Sequence, residues 1–483
     1  MFWRGSRAPI GIVSQFMESG QLQRRLGLTS AVTITIGAVI GSGIFLKPLS
    51  VAQALPSESA IYLMWVGLGL VCLFGAFAYA ELGAMLPEAG GQYAFLREGW
   101  GRCVSFLYGW TFFWVINAGT IAALALGFSD NLLPVFGLEG SVTLPDGEQD
   151  ASAAKLMLAV AMIVVLALVN HFGVVFGAIV QNVTTFAKVG ALGMIVVGGF
   201  LTVGGDASPA AVIAPAAGDA PEWRMAGLVT AFMGIFWAYE GWYQMPFNAA
   251  ELKRPERNLP LGLVGGMVML VVVYLFVNWT YMQVVPFEEM RAMPKDTPDT
   301  HVAMLTVSRI FTPEIGGYLT LFMAISIFGA ANPNMLSSPR AFYAMGQDGL
   351  APKALTKISK RWGTPVVSIW VQALVGIILV LWLKGFHDVT AFVVFAAFLF
   401  YAMTVAAVYR LRVLRPDVER PYRCTGYPFT PAVFILVAIG FIVAVLQDPD
   451  EVKNALVGLA IVGAGVPYYL WWRRAYPDHA AES

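Results

Sequence analysis
Twelve blocks of this chain are long and apolar enough to cross a lipid bilayer, a pattern that no soluble fold accommodates. A helix rises about 1.5 Å per residue, so roughly 20 residues cover a hydrocarbon core of about 30 Å. The blocks lie near residues 28–52, 60–86, 102–128, 153–172, 178–203, 225–249, 260–285, 314–342, 365–385, 389–412, 429–447 and 452–472. They predict an all-α integral membrane protein with twelve transmembrane helices. Composition agrees: 58% of the residues are apolar and 12% charged, where a soluble chain carries about 25% charged residues. Residues 1–22 hold Arg4, Arg7 and Glu18 but no uninterrupted apolar run, so no cleaved signal peptide is expected and the first span is retained.

Lys and Arg gather in alternate connecting segments. Arg24 and Arg25 precede the first span, and Lys253, Arg254 and Arg257 follow the sixth. Arg340 to Arg361, Arg410 to Arg423, and Arg473 with Arg474 continue the alternation, whereas Ser129–Ala154 contains acids but neither Lys nor Arg. The positive-inside rule therefore predicts that both termini are cytoplasmic.

Several chemistries are disfavoured. The 30 Lys and Arg balance the 30 Asp and Glu, which leaves no basic footprint for nucleic acid. Cys72, Cys103 and Cys424 are too scattered for a disulfide framework or a structural zinc site. His171, His301, His387 and His479 lack metal-ligand spacing, and no GxxxxGK[ST] segment is present to hold a nucleoside triphosphate. No nucleophile with a nearby base stands out, so neither an enzyme nor a bound cofactor or metal is expected. A channel would want a continuous polar or carbonyl-lined pore.

Function must instead come from irregularities within the spans. The first contains Gly37, Gly41 and Gly43 in TIGAVIGSGIF, with Pro48 beyond. Gly costs about 1 kcal/mol relative to Ala in a helix interior, so this segment predicts a break. A close helix crossing of the GxxxG type, which Gly37 and Gly41 satisfy, is the competing reading of that segment alone. The sixth span is interrupted too, by Glu240-Gly241 and then Pro246. Broken helices at corresponding positions of two halves are the mark of inverted-repeat transporters. Spans 1–5 (28–203) and 6–10 (225–412) would then form two five-helix repeats, with helices 11 and 12 (429–472) added. Cytoplasmic segments 1–27 and 473–483 would flank them.

Unwound backbone in a bilayer must line a cavity or bind something. N–H groups around Ser42 and Gly43 carry partial positive charge and suit a carboxylate, while the carbonyls of Val39 and Trp237 suit an ammonium. Together they fit the main-chain end of a free α-amino acid.

The residues also carry a family resemblance. GSGIF (Gly41–Phe45), YAELGAMLPEAGGQYAF (Tyr79–Phe95), QNVTTFAKVGAL (Gln181–Leu192), AYEGW (Ala238–Trp242) with ELKRPERNLP (Glu251–Pro260), and ISIFGAANPNMLSSPRAFYAMGQDGLAP (Ile325–Pro352) resemble the amino acid–polyamine–organocation superfamily, within it the L-type amino acid transporters. The resemblance covers most of spans 1 to 8. It implies a LeuT-like 5+5 inverted repeat and sodium-independent exchange of L-amino acids across a bacterial inner membrane. It also implies a substrate site from Val39, Ile40, Gly41, Ser42 and Gly43 of span 1 and Trp237, Ala238, Tyr239 and Glu240 of span 6, with Trp237 covering the substrate. The family's animal members attach to a glycoprotein through a cysteine in the outer loop after span 3. Ser129–Ala154 contains no cysteine, so no such disulfide-linked partner is expected.

Lys188 stands out because a mid-span lysine costs about 2.5–3.5 kcal/mol on insertion scales and must face a partner inside the protein. The resemblance places its ammonium where sodium-coupled relatives of the fold bind sodium, tying the break in span 1 to span 8 through Ser326. In a competing reading Lys188 gives up its proton during the cycle, making the protein a proton-coupled amino acid or polyamine uptake system. A purely structural ion pair is the third. Glu240 would either attract a cationic substrate side chain, stand as a neutral acid, or point away and pair with another helix. Gly37–Ile40 and Gly234–Phe236 are the expected hinges. Trp237 and Glu81, with the Glu251–Arg257 cluster, are candidate gates; Glu81 and that cluster also read as ordinary headgroup-level charges.

Overall fold
A computed structural model describes residues 22–137, 152–203, 223–294, 297, 301–383, 386–448 and 452–476. The expectations for residues 1–21, for most of the loop 129–154 and for the end of the C-terminal tail lie outside the described residues. Within them the chain is all-helical: ten helices are long and apolar enough to cross a membrane, and Val366–Trp382 is a shorter apolar helix.

The helices, in chain order, are α1 (Leu28–Val39), α2 (Gly43–Ala54), α3 (Glu58–Met85), α4 (Gln92–Trp100), α5 (Arg102–Thr111), α6 (Asn117–Leu132), α7 (Ser152–His171), α8 (Val174–Val203), α9 (Met225–Tyr239) and α10 (Pro255–Val284). After them come α11 (Phe287–Ala292), α12 (His301–Ile310), α13 (Pro313–Gly317), α14 (Leu319–Ser337), α15 (Pro339–Gln347), α16 (Val366–Leu383), α17 (Phe386–Leu414), α18 (Phe429–Gln447) and α19 (Val452–Ala475).

Both predicted breaks are present. The first helix stops at Val39 and restarts at Gly43, leaving Ile40 to Ser42 outside helical geometry. The unwound stretch therefore sits one residue earlier than the Gly41–Gly43 triplet, because Gly43 already belongs to α2. In the sixth span α9 ends at Tyr239, Glu240 is extended, and Gly241 adopts φ +113°, a conformation that glycine reaches without a Cβ clash. The chain then continues as a ten-residue 3-10 helix, Trp242–Glu251, with Pro246 inside it, and not as a second α-helix. Runs of that length are uncommon, since the 3-10 hydrogen bonds are less well aligned.

Two departures were not legible in the apolar blocks. The third span contains a π-helical turn at Phe112–Ile116 between α5 and α6. The eighth comprises α13, α14 and α15, which parts from α14 at Ser338, just before Pro339. In both cases hydropathy registers the apolar run but not the local change of winding.

At the centre, α1 packs on α10, α8 and α14, and α2 on α9. Further contacts join α3 to α10 and α9, α6 to α14 and α17, α8 to α14, and α9 to α17. The connecting segments rich in arginine converge on one end of the bundle. There Glu81 receives Arg412 at 2.9 and 2.6 Å and the backbone N–H of Cys424 at 2.6 Å. Arg97 donates to Asp348 at 2.9 and 2.8 Å. Arg340 donates to both carboxylate oxygens of Glu251 at 2.7 and 3.0 Å. Glu81 and Glu251 are each at most 1% exposed, and burial demands the arginine partner each has.

Candidate functional site
The two interruptions lie side by side. A Cβ on Gly43 would fall 2.4 Å from the Cα of Ala238, so the absence of a side chain is what lets α2 touch the end of α9. Around this crossing is a small cavity of about 20 Å³ lined by Val39, Gly41, Ser42 and Gly43 from the first break and Trp237, Glu240 and Gly241 from the second. Thr120 and Leu124 of α6, Ala330 and Asn334 of α14, and Ala38 and Tyr243 beside the two breaks complete the wall.

The polar groups divide by sign. The N-terminal end of α2, where the N–H groups of the first residues precede the helical ladder that begins at the Ser42 carbonyl, contributes Ser42 and Gly43 to the wall. The Ser42 hydroxyl is buried with no hydrogen-bond partner among the described residues. Opposite lie the C-terminal ends of α1 and α9, where carbonyl oxygens are exposed by the breaks. The Val39 carbonyl lies 3.2 Å from the Tyr274 hydroxyl, and the Ala238 carbonyl lies 2.9 Å from the same oxygen. Tyr274, on α10, thus bridges both breaks, a contact the sequence did not signal, because a tyrosine in an apolar run resembles ordinary core. The Trp237 carbonyl accepts the Glu240 N–H at 3.2 Å.

Lys188 is fully buried, midway along α8, and does not face lipid. Its Nζ donates to the carbonyls of Gly37 at 3.0 Å and Ile40 at 2.6 Å. Ser326 Oγ, on α14, donates to the Gly41 carbonyl at 3.3 Å and reaches that of Ile40 at 3.5 Å. The lysine and the serine therefore meet at the carbonyls freed by the first break. Gln181 and Thr185, two turns and one turn earlier on α8, donate to the Thr33 carbonyl of α1, extending the same seam.

Glu240 lines the cavity, but its Oε1 accepts a 2.6 Å hydrogen bond from Tyr401 on α17, while Oε2 has no partner among the described residues. Tyr239, adjacent to it, turns away and donates to the Trp65 carbonyl at 3.2 Å. Glu81 is not part of this cavity. It lies with Arg412 at the arginine-rich end.

Gly43 offers a local test. With alanine there, the new methyl meets backbone and not a flexible side chain, so α2 and α9 must separate at a cost of about 1–3 kcal/mol. Transport by Gly43→Ala is expected to fall by about tenfold or more in vesicles containing equal amounts of protein. Wild-type rates would mean that the close approach is dispensable.

A family model described as amino acid permease matches residues 26–466. The chain is 30% identical to the b(0,+)-type amino acid transporter 1 of Mus musculus over 458 residues, covering 94% of this chain and 89% of the relative. It is 28% identical to the serine/threonine exchanger SteT of Bacillus subtilis (strain 168) over 456 residues, covering 94% and 97%. With the human cystine/glutamate transporter it shares 29% identity over 468 residues, covering 97% and 88%.

Proposed function
The chain belongs to the amino acid permease family, whose members are multi-pass membrane transporters and not enzymes, and from that premise we propose that it is a sodium-independent exchanger of L-amino acids working by alternating access. The observation that carries this reading is the cavity between the two breaks, with helix N-terminal groups on one side and freed carbonyls on the other. A zwitterion's carboxylate would bind the N–H groups of Ser42 and Gly43 and the Ser42 hydroxyl. Its ammonium would bind the carbonyls of Val39 and Trp237, with Gly41 and Glu240 shaping the walls and Trp237 as the cover, while Ile40, Ala238 and Tyr239 hold the two breaks from behind.

The 5+5 organisation is supported by the packing. If helices 1–5 correspond to helices 6–10, the contact of α1 with α10 should have a counterpart between the sixth span and α3, which is seen as α3 against α9. The contact of α1 with α8 likewise corresponds to that of α9 with α17, and the contact of α8 with α14 to that of α6 with α17. Two repeats related in this way can rock against each other around a fixed midplane site.

Sodium independence rests on Lys188. Its ammonium holds the Gly37 and Ile40 carbonyls, so a fixed charge stands where a diffusible cation would otherwise tie α1 to α8 and α14. Both termini would be cytoplasmic, because the arginine-rich ends that converge at one face would be the inner ones.

Exchange is tested with the purified protein in liposomes. Uptake of labelled amino acid is expected only when unlabelled amino acid is loaded inside, and it is expected to be unchanged when potassium replaces sodium. Uptake into empty vesicles driven by an inward proton gradient would favour proton symport and overturn exchange. Passive ion current without amino acid dependence would point to a channel.

A further inference from the structure
Away from the central cavity, a second groove opens at the arginine-rich end between α5 and α19, with a volume of about 390 Å³. Its walls include Trp100, Arg102 and Cys103 on one side and Trp472, Arg473 and Tyr476 on the other. Positive features converge there. Arg102 opens α5, whose N-terminus has no side-chain cap and presents the positive end of the helix dipole. Arg473 is exposed on the last turn of α19. Arg410 lies 5.0 Å from the centre of the Trp100 ring. The Asp348 carboxylate is engaged by Arg97 and by the Tyr93 hydroxyl at 2.7 Å, and its backbone carbonyl accepts from Arg102 at 2.6 Å, which fixes the Arg102 guanidinium at the groove wall. The groove's shape is fixed by the Trp472 Nε1 donating to the Gly349 carbonyl at 2.9 Å.

This groove continues into an apolar one. Leu350 lines both, and the second runs past Phe106, Trp110, Phe113, Phe342 and Val371, with a volume of about 310 Å³. A cationic pocket framed by Trp and Tyr at a helix end, opening into an apolar channel along the bundle, has the profile of one amphiphile. Rings of this kind sit at headgroup level, and basic pockets between helices at the inner face hold anionic headgroups. We propose that the two grooves together bind one anionic diacyl phospholipid, its phosphate between Arg102 and Arg473 at the α5 N-terminus and an acyl chain along the Phe106–Phe342 channel. Because the site joins α5 and α15, which are parts of the third and eighth spans, to α19, the lipid would brace the added helix against the bundle.

Cys103 supplies the readout. It is exposed and in the groove wall, whereas Cys72 and Cys424 are buried, and burial pushes the Cys424 thiol up to about 11. The full-length protein, delipidated in a maltoside detergent, is titrated with phosphatidylglycerol, phosphatidylcholine or inorganic phosphate while maleimide labelling of Cys103 is timed. Phosphatidylglycerol is expected to slow labelling about fivefold or more, and the other two are not. Arg473→Ala should raise the lipid concentration for half-protection by about fivefold, the contribution of one basic residue near an anionic headgroup. Arg474→Ala, on the same exposed turn but outside the groove lining, should not. Equal protection by phosphatidylcholine, protection by inorganic phosphate alone, no protection at all, or an equal effect of Arg474→Ala would each overturn the proposal. None of these readouts depends on transport.

Discussion

Lys188→Ala is expected to lower amino acid exchange on the order of a hundredfold while the protein still folds. The ammonium makes two charge-assisted hydrogen bonds to the Gly37 and Ile40 carbonyls, each worth about 1.5–3 kcal/mol. If even one such contribution is needed to hold the first break in its closed geometry, the barrier rises enough for that loss. Global folding should survive, since α8 also holds α1 through Gln181 and Thr185, and Ser326 still reaches the Ile40 carbonyl. The measurement is counterflow in liposomes alongside the unfolding temperature of the purified variant. Wild-type exchange by a folded Lys188→Ala protein would remove the lysine from the mechanism. A variant that keeps exchange but loses a response to an imposed pH gradient would instead assign Lys188 to proton coupling.

Arg340→Met should be the most destabilising of the substitutions considered, by about 3–5 kcal/mol, because it leaves the Glu251 carboxylate buried without its cation. The pair is essentially inaccessible, with side-chain exposures of 0% and 1%, and Arg340 also donates to the Leu336 carbonyl. The same glutamate anchors the chain before the first helix: its backbone carbonyl accepts the N–H groups of Arg25 at 2.8 Å and Leu26 at 2.9 Å, and Lys253 N–H returns to the Leu26 carbonyl at 2.8 Å. Losing the arginine should therefore loosen the 25–26 segment as well as lower the unfolding temperature, and hydrogen exchange at those amides would report it. Adding Glu251→Gln to Arg340→Met should recover a large part of the loss, since no uncompensated charge is left behind. A single variant within about 1 kcal/mol of wild type, or a double variant no better than the single, would contradict this account.

Legibility in the sequence tracks the range of the interactions. Apolar blocks and helix breakers are local: a run such as FILVAIGFIVAVL or a GSG triplet bears its meaning within one or two turns, so the spans and both interruptions can be read directly. The mid-span lysine is legible as a charge that needs partners, and it finds them in the Gly37 and Ile40 carbonyls at the first break. The first break is offset by one residue from its glycine triplet, and the 3-10 winding of Trp242–Glu251 leaves no mark, since hydropathy does not distinguish about 3.0 from 3.6 residues per turn.

The remaining features depend on residues distant in the chain. Tyr274 reaching Val39 and Ala238, Tyr401 reaching Glu240, and Arg340 reaching Glu251 are contacts between separate helices. Nothing in periodicity or composition says which face of one helix meets which residue of another, and buried polar groups choose their partners only once packing has brought them within about 3 Å. Membrane residence and two broken spans are thus properties of short stretches of chain, whereas the cavity, its polar lining and its ion pairs exist only after the helices have assembled. The reason is that water-to-lipid transfer acts on each segment separately, while desolvated hydrogen bonds require two segments in register.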